Sequence, residues 1–413
     1  MLKTAFQRYI DSFRGFSREI WILTFVTFIN RAGTMVLPFL SKYLNEDLHF
    51  SYIKVGTIMV CFGVGSMLGS WLGGKLSDKI GFYRIMIFSL FTSGLLLFIL
   101  QFITSFIGLC ISMFVIMVIA DMFRPAMFVS LGAYSKPENR TRALTLVRLA
   151  INLGFAAGPA LGGLIIMNIG YKGLFWADGA TCIIAILIFA LKVKEKKKSA
   201  YTDKQHPGEV LTHSVFKDKT FWIFMMVCLI TGILFFQLFT TIPLYHKKQF
   251  NLTELQTGLL LMLNGLLVFF LEMPIVSYVE RKKLNKVKVV TYGGLAMTIS
   301  MFLLTINSWS GILIIMMLFM TFGEMFAFPF SNSFVMSRAP KGHEGRYMAI
   351  FTMAYSLAHI MSSGVGLKLV DKYGFQINWF VMGGLGLLCV VLGIVVINRV
   401  RKEKNHQSIS IKN

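Results

Sequence analysis

Charged residues are scarce in this sequence. Of its 413 residues, 15% are Asp, Glu, Lys or Arg, and 55% are hydrophobic. A soluble domain usually carries about 25% charged residues, so this chain lacks the groups needed to cover a water-facing surface. The composition therefore excludes an ordinary soluble protein. It predicts a chain in which most side chains face lipid or one another.

Features of several enzyme and redox classes are also missing. The 5 cysteines all lie inside hydrophobic runs, with neither disulfide placement nor metal-ligand spacing. No Gly-Lys-Ser or Gly-Lys-Thr phosphate loop occurs, which argues against an ATP-driven pump. There is no cluster of His and Cys and no soluble catalytic domain. We expect no enzyme activity, no metal and no cofactor.

Acidic residues are fewer than half as numerous as basic ones, 19 against 41, which gives a formal net charge of +22. In a soluble protein this excess would suggest a nucleic-acid partner. In a membrane protein it has another explanation, because cytoplasmic loops are rich in Lys and Arg. We expect a lipid bilayer and a small-molecule substrate as partners, and no nucleic acid.

Long apolar runs are what the sequence has in abundance. A helix needs roughly 20 apolar residues to cross a hydrocarbon core about 30 Å thick. Twelve runs approach or exceed this length, and we number them spans 1 to 12: 20–44, 53–73, 85–104, 106–132, 145–168, 173–193, 221–245, 256–279, 287–306, 311–336, 347–369 and 377–398. The predicted fold class is an all-α membrane protein with twelve transmembrane helices.

The distribution of positive charge predicts the orientation. With the N-terminus placed inside, most of the 41 Lys and Arg residues fall in the inside segments, so both termini are expected to be cytoplasmic. The longest polar stretch divides the spans six and six. We predict an N-terminal six-helix bundle at 1–193, a cytoplasmic linker at 194–219, and a C-terminal six-helix bundle with a cytoplasmic tail at 220–413.

The two halves show a weak internal repeat. When the first half is shifted by 204 positions, Gly162 coincides with Gly366 and Pro125 coincides with Pro329. Both matches fall in corresponding spans of the two halves. Two six-helix repeats around a central solute site are a common transporter plan. We therefore predict two pseudo-symmetric bundles.

The loop after span 2, residues 74–84, reads Gly-Lys-Leu-Ser-Asp-Lys-Ile-Gly-Phe-Tyr-Arg. It resembles the signature loop of the major facilitator superfamily, Gly-x-Leu-x-Asp-basic-x-Gly followed by basic residues. Glycines allow a tight turn and close helix contact, and a carboxylate there can meet a helix N-terminus or an arginine. The resemblance implies the major facilitator fold. It also implies conformational roles for Gly74, Asp78, Lys79, Gly81 and Arg84.

Span 5 carries a second motif, with Gly154, Gly158 and Gly162 on one helix face and Pro159 beside them. It resembles the Gly-x-x-x-Gly-Pro-x-x-Gly-Gly motif of bacterial drug:proton antiporters. The shared face lets another helix pack closely, and the proline removes a backbone hydrogen bond and permits a bend. The resemblance implies export. The alternative is small-residue packing with no bearing on direction.

Two other segments partly resemble proton-coupled oligopeptide transporters. Residues 27–31 read Thr-Phe-Ile-Asn-Arg where that family has Glu-x-x-Glu-Arg, and Arg124 precedes a proline where it has Lys-Pro. The arginine of the first motif is kept as Arg31, whereas Thr27 and Asn30 replace both glutamates. The resemblance implies a site for carboxylate-bearing solutes but lacks the glutamate pair of that family.

Ionisable side chains inside the spans are the candidate proton carriers. A charge at mid-bilayer costs at least ~2.5–3.5 kcal/mol, so such residues usually face a cavity and serve function. Burial favours the neutral form of a carboxyl group, and histidine changes charge near neutral pH. The predicted proton-coupling residues are Glu324, the first choice, with Asp121, Glu272 and His359. Asp178, near the outer end of span 6, is expected at the membrane interface.

Polar and aromatic groups near the same depth are candidate substrate ligands. Asp121 and Arg124 are three residues apart and could form a structural ion pair. Alternatively, Asp121 exchanges partners between Arg31, Arg124 and a proton. The predicted substrate-binding set is Arg31, Asn30, Arg124, Gln237, Phe236 and Phe328. Two arginines in the first half would suit an anionic or carboxylate-bearing solute.

Together these features predict a proton-coupled secondary active transporter of small organic solutes. It would work by alternating access, as a monomer, in a bacterial-type inner (plasma) membrane. The resemblance to drug:proton antiporters favours efflux by antiport. The arginines keep an alternative open, a proton-coupled symporter that takes up peptides or other carboxylate-bearing solutes. A membrane enzyme or a receptor is the third class, and the sequence holds no catalytic cluster for it.

Overall fold

The chain is built from helices. A computed structural model describes residues 15–135, 140–196, 215–306, 308–339 and 344–410, and these ranges contain no β-strand. The helices, in chain order, are α1 Arg18–Gly33, α2 Val36–Lys42, α3 Tyr52–Ile80, α4 Phe82–Leu100, α5 Phe106–Ala120, α6 Phe123–Tyr134, α7 Arg140–Ile169, α8 Lys172–Lys192, α9 Lys219–Phe236, α10 Thr241–Phe250, α11 Glu254–Arg281, α12 Lys286–Leu303, α13 Ile312–Arg338 and α14 Glu344–Ser410.

Polar side chains begin several of these helices. The Ser17 hydroxyl accepts a hydrogen bond from the first turn of α1, and Ser105 does the same for α5. Asp218 accepts from a backbone N–H of α9 at 2.9 Å, and Asn285 accepts from α12 at 2.9 Å. Each cap satisfies a backbone donor that has no partner within the helix. Local sequence therefore sets where these helices start.

Ten helical segments in the described residues are long and apolar enough to cross a membrane. The last of them, Ile350–Glu403, has 54 residues. Its backbone is non-helical at Gly374, where φ is 82°, a conformation that glycine adopts without strain. The segment α12, with 18 residues, is not among the ten. The predicted all-α membrane class is confirmed, and the count of twelve stays a prediction.

Three predicted spans are interrupted. Span 1 breaks after Gly33, between α1 and α2, and span 4 breaks at Asp121 and Met122, between α5 and α6. Span 7 passes through a 3₁₀ turn, Gln237–Phe239, between α9 and α10. Irregular backbone at membrane depth is tolerated where it is buried in protein or lines a cavity. The breaks therefore mark places where backbone polar groups meet other parts of the protein or a solute.

The described residues pack as two compact units. Unit 1 holds most of the first half together with Thr253–Phe269, and unit 2 holds most of the second half together with Leu44–Val60. The helices α3 and α11 each contribute to both units. The predicted linker lies largely outside the described residues, and the domain boundaries at residues 193 and 219 stay predictions.

Close contacts at glycine hold unit 1 together. Gly65, Gly69 and Gly73 repeat every fourth residue along α3 and lie against backbone atoms of α5 and of the turn after it. A Cβ atom on Gly73 would come within 2.6 Å of the Met122 Cα. No larger residue fits there unless a helix moves. Small residues at such spacing let membrane helices approach backbone to backbone.

The glycine face of α7 packs against the first span. Gly154 and Gly158 lie against the end of α1, and Gly162 lies against α2. On the other side of α7, a Cβ atom on Gly265 of α11 would come within 2.6 Å of the Ala156 Cα. The helix α7 is therefore enclosed on two sides, as its small-residue spacing predicts.

A buried ion pair strengthens the contact between α2 and α11 in unit 1. Lys42 is fully buried, and its Nζ lies 3.0 Å from Oε1 of Glu254. Removing one partner of a buried pair leaves an uncompensated charge, which is strongly destabilising. The pair therefore fixes the beginning of α11 to the end of the first span.

In unit 2, α12 is packed between α13 and α14. A Cβ atom on Gly293 would lie 2.8 Å from the carbonyl oxygen of Gly323 on α13. Gly386 of α14 faces Thr298, whose hydroxyl donates to a carbonyl of its own helix at 2.7 Å. Lys286 and Lys288 in the first turn lower the average hydropathy of α12, and the Thr298 hydroxyl is satisfied inside the helix. This explains how α12 is buried between helices despite its more polar sequence.

Candidate functional site

The predicted site residues fall into one group in each unit. Unit 1 contains the predicted residues of spans 1 and 4, which are Asn30, Arg31, Asp121 and Arg124. Unit 2 contains the others, which are Phe236, Gln237, Glu272, Glu324, Phe328 and His359. Each group lies at or near a helix break or a helix proline. The two groups are described separately below.

Arg31 lies in the last turn of α1, directly before the break in span 1. Its guanidinium carbon is 5.6 Å from the centroid of the Phe155 ring on α7, which is within the range of a cation–π attraction. Its Nε is buried and has no hydrogen-bond partner among the described residues. Packing therefore holds the side chain, and its Nε is a buried donor that the described residues do not satisfy.

Asn30 is buried and is engaged inside the protein. Its Nδ2 lies 3.5 Å from Sγ of Cys182 on α8, and that sulfur lies 3.8 Å from Oδ1 of Asp178. Asp178 is only 7% exposed. The face of α8 that carries Asp178 turns toward span 1, and the expectation that Asp178 lies at the membrane interface stays a prediction. A span boundary read from hydropathy gives depth but not the face of the helix.

Asp121 occupies the break between α5 and α6 and is 9% exposed. It accepts a hydrogen bond from the Ser66 hydroxyl of α3. Ser89 of α4 donates to the carbonyl of Ile119, at 2.6 Å, just before the break. Both residues of the expected Asp121–Arg124 ion pair are described, and no ion pair joins them; Arg124 is exposed. Asp121 and Arg124 both lie near enough to Arg31 to act on its charge.

Gln237 ties two helices of unit 2 at the break in span 7. The side chain is fully buried, and its Nε2 donates to Oγ of Ser362 on α14 at 2.9 Å. The hydroxyl of Thr241 on α10 donates to its Oε1. The amide is thus satisfied by the protein on both sides, which positions the turn that follows Phe236.

An aromatic cluster surrounds this break. The Phe236 ring meets the His359 ring edge-on, with 4.7 Å between centroids. The neighbouring Phe235 ring lies 4.8 Å from that of Phe328, which in turn lies 5.3 Å from the Tyr355 ring. Edge-to-face contacts at these distances are favourable. The cluster joins α9, α13 and α14 beside His359, the one histidine among the predicted proton-coupling residues.

Two carboxylates of unit 2 complete the predicted set. Glu272 lies in α11 two residues before Pro274 and is 8% exposed. Glu324 is half-buried in α13, next to the close glycine contact with α12. Both side chains have interaction partners in the structure. Each is therefore an intramembrane carboxylate held in a defined place, the kind of group that marks a proton or ion path.

Residues 74–80 of the predicted signature loop form the last turns of α3, so this part of the loop is helical, and Gly81 alone joins α3 to α4. Gly81 adopts φ 99°, a backbone conformation that requires glycine, and begins α4. Lys79 is exposed, and Arg84 forms a solvent-exposed ion pair of 3.3 Å with Glu195. No heavy atom lies within 4 Å of a Cβ built on Gly74. The Asp78 side chain lies outside the described part of the chain, so its role stays a prediction.

A polar cluster that the sequence did not indicate lies at one end of unit 2. The guanidinium of Arg338, at the end of α13, donates to Asp218 at 2.6 Å and to Glu403 at 2.9 Å. Thr220 also donates to Glu403, at 2.7 Å. Burial alone would raise the pKa of Asp218, but hydrogen bonds from Arg338 and from the Phe221 N–H outweigh it and lower the pKa.

The corresponding end of unit 1 has a similar cluster, which is built from other residues. Ser17, before α1, donates to the carbonyl of Tyr134 at the end of α6, at 3.0 Å. The Tyr134 hydroxyl donates to the carbonyl of Lys194, just after α8, at 2.8 Å. Tyr134 and Arg338 are 204 positions apart, the shift of the internal repeat. An alignment of the two halves at this shift could have indicated from the sequence where the cluster lies.

Comparisons with known proteins agree with this architecture. The family description of the Major Facilitator Superfamily matches residues 20–363. A Na(+), Li(+), K(+)/H(+) antiporter of Planococcus maritimus is 22% identical, over 87% of this chain and 91% of its own. The quinolone resistance protein NorA of Staphylococcus aureus strain MRSA252 is 26% identical, over 44% of this chain and 47% of its own.

A solved structure shows the same fold. The crystal structure of a POT family transporter in complex with 5-aminolevulinic acid superimposes with a TM-score of 0.76 at 16% identity. The match covers 94% of this chain and 97% of that one. At this identity the likeness concerns the fold alone. The family match spans most of the chain, and the chain also has a helical membrane fold and the signature motif at residues 74–84. This chain therefore belongs to the Major Facilitator Superfamily.

Proposed function

We propose that the protein is a proton-coupled secondary active transporter of small organic solutes and works as an efflux antiporter by alternating access. The observation that carries this proposal is the presence of buried carboxylates inside apolar spans: Asp121 is 9% exposed and Glu272 is 8% exposed. Such groups are costly in a bilayer and are usually retained for ion or proton movement. Protonation would bias the equilibrium between inward-open and outward-open states.

The proposed proton-coupling residues are Glu324, Asp121, Glu272 and His359. Glu324 remains the first choice because it is half-buried on α13 beside the glycine contact with α12. A proton on this carboxyl would remove a charge next to a close helix contact. His359, 7% exposed and packed on Phe236, is a further side chain that can carry a proton.

The proposed substrate contacts combine a cation with aromatic surface. Arg31 with its available Nε supports binding of an acidic group. Phe236 and Phe328 would add apolar contact area. Arg31 of unit 1 thus supports binding of a carboxylate, and the aromatic cluster of unit 2 separately supports binding of a flat ring system. The name of the Staphylococcus aureus relative makes a quinolone a reasonable first probe.

We further propose twelve spans in two six-helix bundles, with both termini cytoplasmic, in a bacterial plasma membrane, and a monomeric protein. The non-helical Gly374 supports reading α14 as two spans. The burial of α12 between its neighbours supports counting it as another. The excess of Lys and Arg in alternate loops supports the orientation.

The test is transport into proteoliposomes with an imposed pH gradient, with the fluorescent quinolone norfloxacin as the probe. We expect the gradient to drive norfloxacin accumulation and expect Glu324→Gln to reduce it about tenfold or more, as for loss of one group essential to proton transfer. Asp371→Asn is the matched control because Asp371 is an exposed carboxylate. The proposal fails if the pH gradient changes the flux of none of the three probes, norfloxacin, Na(+) and K(+).

The second candidate is proton-coupled symport that takes up peptides or other carboxylate-bearing solutes. The availability of the Arg31 Nε beside Phe155 favours it. The two candidates predict opposite proton movements, since a symporter acidifies the compartment that receives the solute. A pH-sensitive dye inside the vesicles distinguishes them.

Arg31→Ala should weaken binding of a carboxylate-bearing probe about tenfold or more, since a charge-assisted hydrogen bond contributes about 1.5–3 kcal/mol. Arg124→Ala is the comparison, because Arg124 is exposed and makes no ion pair with Asp121 in the described structure. Unchanged binding in Arg31→Ala would remove the argument for an anionic solute.

A further inference from the structure

Asp178 is a buried carboxylate that the proposed proton path does not include. It lies seven residues into α8, inside a predicted span, and is 7% exposed. No ion pair joins it to a basic residue in the described part of the chain. An intramembrane carboxylate in this situation is by default a candidate for function. What surrounds it indicates which function.

The carboxylate of Asp178 faces the break in span 1. It lies near the backbone N–H groups of Met35 and Val36, at the point where α2 begins, and the Met35 N–H itself donates to the Gly33 carbonyl at 2.6 Å. The helix α8 lies directly against this break, since a Cβ atom on Gly33 would come within 2.6 Å of the Thr181 Cβ. N–H groups at the start of a helix have no partners within it. An ionised carboxylate is therefore what stabilises this break.

A chain of contacts joins Asp178 to the arginine site. The Cys182 thiol lies 3.8 Å from Oδ1 of Asp178, and Nδ2 of Asn30 lies 3.5 Å from the same sulfur. Asn30 immediately precedes Arg31. The break in span 1 thus lies between two segments that are close to Asp178. The Asn30–Arg31 segment precedes the break, and α2 follows it.

Among the described residues, the ionisable groups that act on Asp178 include Arg31 from span 1 and Cys182 from its own helix. The side of α8 that faces α4 at this level meets Gly94 and Phe98, which carry no charge. Where α8 meets α7, Gly173 lies against Ile165 and Ile169. Asp178 is therefore the carboxylate that adjoins the break.

We infer that Asp178 is a further proton-coupling residue, whose protonation releases the break between α1 and α2 and so changes the position of Arg31. The inference rests on the proposed function, because it adds a residue to that mechanism. The step is a simple protonation: a proton from water binds the carboxylate, its charge is lost, and its attraction for the nearby N–H groups at the start of α2 and for the Cys182 thiol weakens. Deprotonation restores them.

The transport test compares Asp178→Asn with Asp371→Asn, two changes of carboxylate to amide, one buried and one exposed. In proteoliposomes, Asp178→Asn should lose gradient-driven norfloxacin accumulation about tenfold or more, as expected when a charge-assisted hydrogen bond is removed. Exchange of norfloxacin at equal pH should stay within about twofold, because exchange needs no net proton movement. Asp178→Glu should restore part of the gradient-driven transport.

A second measurement needs no substrate. Infrared difference spectra of the reconstituted protein between low and high pH should show the band of a protonated carboxyl group. Asp178→Asn should lack this component, and Asp371→Asn should keep it. Cys182→Ala keeps the carboxylate but removes its link to Asn30, and should shift the pH midpoint of the band.

The outcomes separate the two proposals. If the wild-type protein ignores the pH gradient, the proposed function fails, while the infrared comparison still tests Asp178. If Asp178→Asn keeps both the gradient-driven accumulation and the infrared component, the inference about Asp178 is overturned. If Asp178→Asn does not fold, an unchanged band midpoint in Cys182→Ala overturns it instead.

Discussion

At the scale of single residues, Asp218 both caps α9 and receives Arg338 from α13. Hydrogen bonds to a charged group contribute about 1.5–3 kcal/mol, so Asp218→Asn should reduce stability by about that amount at pH 7. The pKa of Asp218 is lowered in the folded protein. Its contribution is therefore fully present above the unfolded pKa of about 3.9 and is lost as pH falls through the lower folded pKa.

Thermal unfolding of the detergent-solubilised protein between pH 3 and 7 measures this effect. The difference between wild type and Asp218→Asn should be constant from about pH 7 to 5 and should shrink below about pH 4. Glu195→Gln serves as a control, since Glu195 pairs with Arg84 on the surface, and such pairs contribute about 0–1 kcal/mol. An equal loss of stability in both variants would contradict the assigned role of Asp218.

The candidate site residues show what the sequence could and could not predict. Depth along a span follows from counting residues, so Asp121 and Glu272 were predicted inside the membrane, and the structure buries them. Contacts depend on which face of a helix meets which neighbour, and hydropathy carries little of that information. Hydropathy therefore could not predict that Ser66 donates to Asp121 or that Asp178 is buried against span 1.

At the scale of helices, adjacent glycines of α3 provide a matched test of close packing. A Cβ atom on Gly73 would lie 2.6 Å from the Met122 Cα, whereas one on Gly74 would meet no heavy atom within 4 Å. Gly73→Ala should cost about 1–3 kcal/mol through overpacking. Gly74→Ala should be neutral or stabilising by up to about 1 kcal/mol, because alanine favours helix.

Thermal unfolding of the two variants, side by side, measures the difference. Both changes add one methyl group to the same helix, so any effect of helix propensity is shared. A higher melting temperature for Gly73→Ala than for Gly74→Ala would show that the α3 glycines do not determine helix spacing in unit 1.

Helix boundaries were predictable where caps or glycines define them and not where spans break. Apolar length predicted the positions of the spans, and the backbone is non-helical at Gly374, between the predicted spans 347–369 and 377–398. The interruptions after Gly33 and at Gln237–Phe239 gave no such signal. Polar residues flank them, such as Arg31 and Gln237, but these do not by themselves indicate a break, because the stabilising partners come from other helices, such as Ser362 for Gln237.

At the scale of the whole molecule, the internal repeat is reflected in contacts as well as in sequence. In each unit, the residue before the first helix, the end of the fourth span and the segment after the sixth span meet at one corner. Unit 1 builds this corner from a hydroxyl and carbonyls around Tyr134. Unit 2 uses an arginine and two carboxylates around Arg338. The halves thus share a geometry while differing in chemistry, as the unlike site residues also do.

The number of spans is the whole-molecule prediction that most needs a test, and α12 decides it. If α12 crosses the membrane, reporters fused after Lys283 and after Trp309 lie on opposite sides. Green fluorescent protein is fluorescent only inside, and alkaline phosphatase is active only outside. We expect fluorescence after Lys283 and phosphatase activity after Trp309, because basic residues flank α12 at its start. A fusion after Gly374 should again be outside and one after Asn413 inside. The same signal on both sides of α12 would mean that it does not span the membrane, and the predicted six-helix second half would then be wrong.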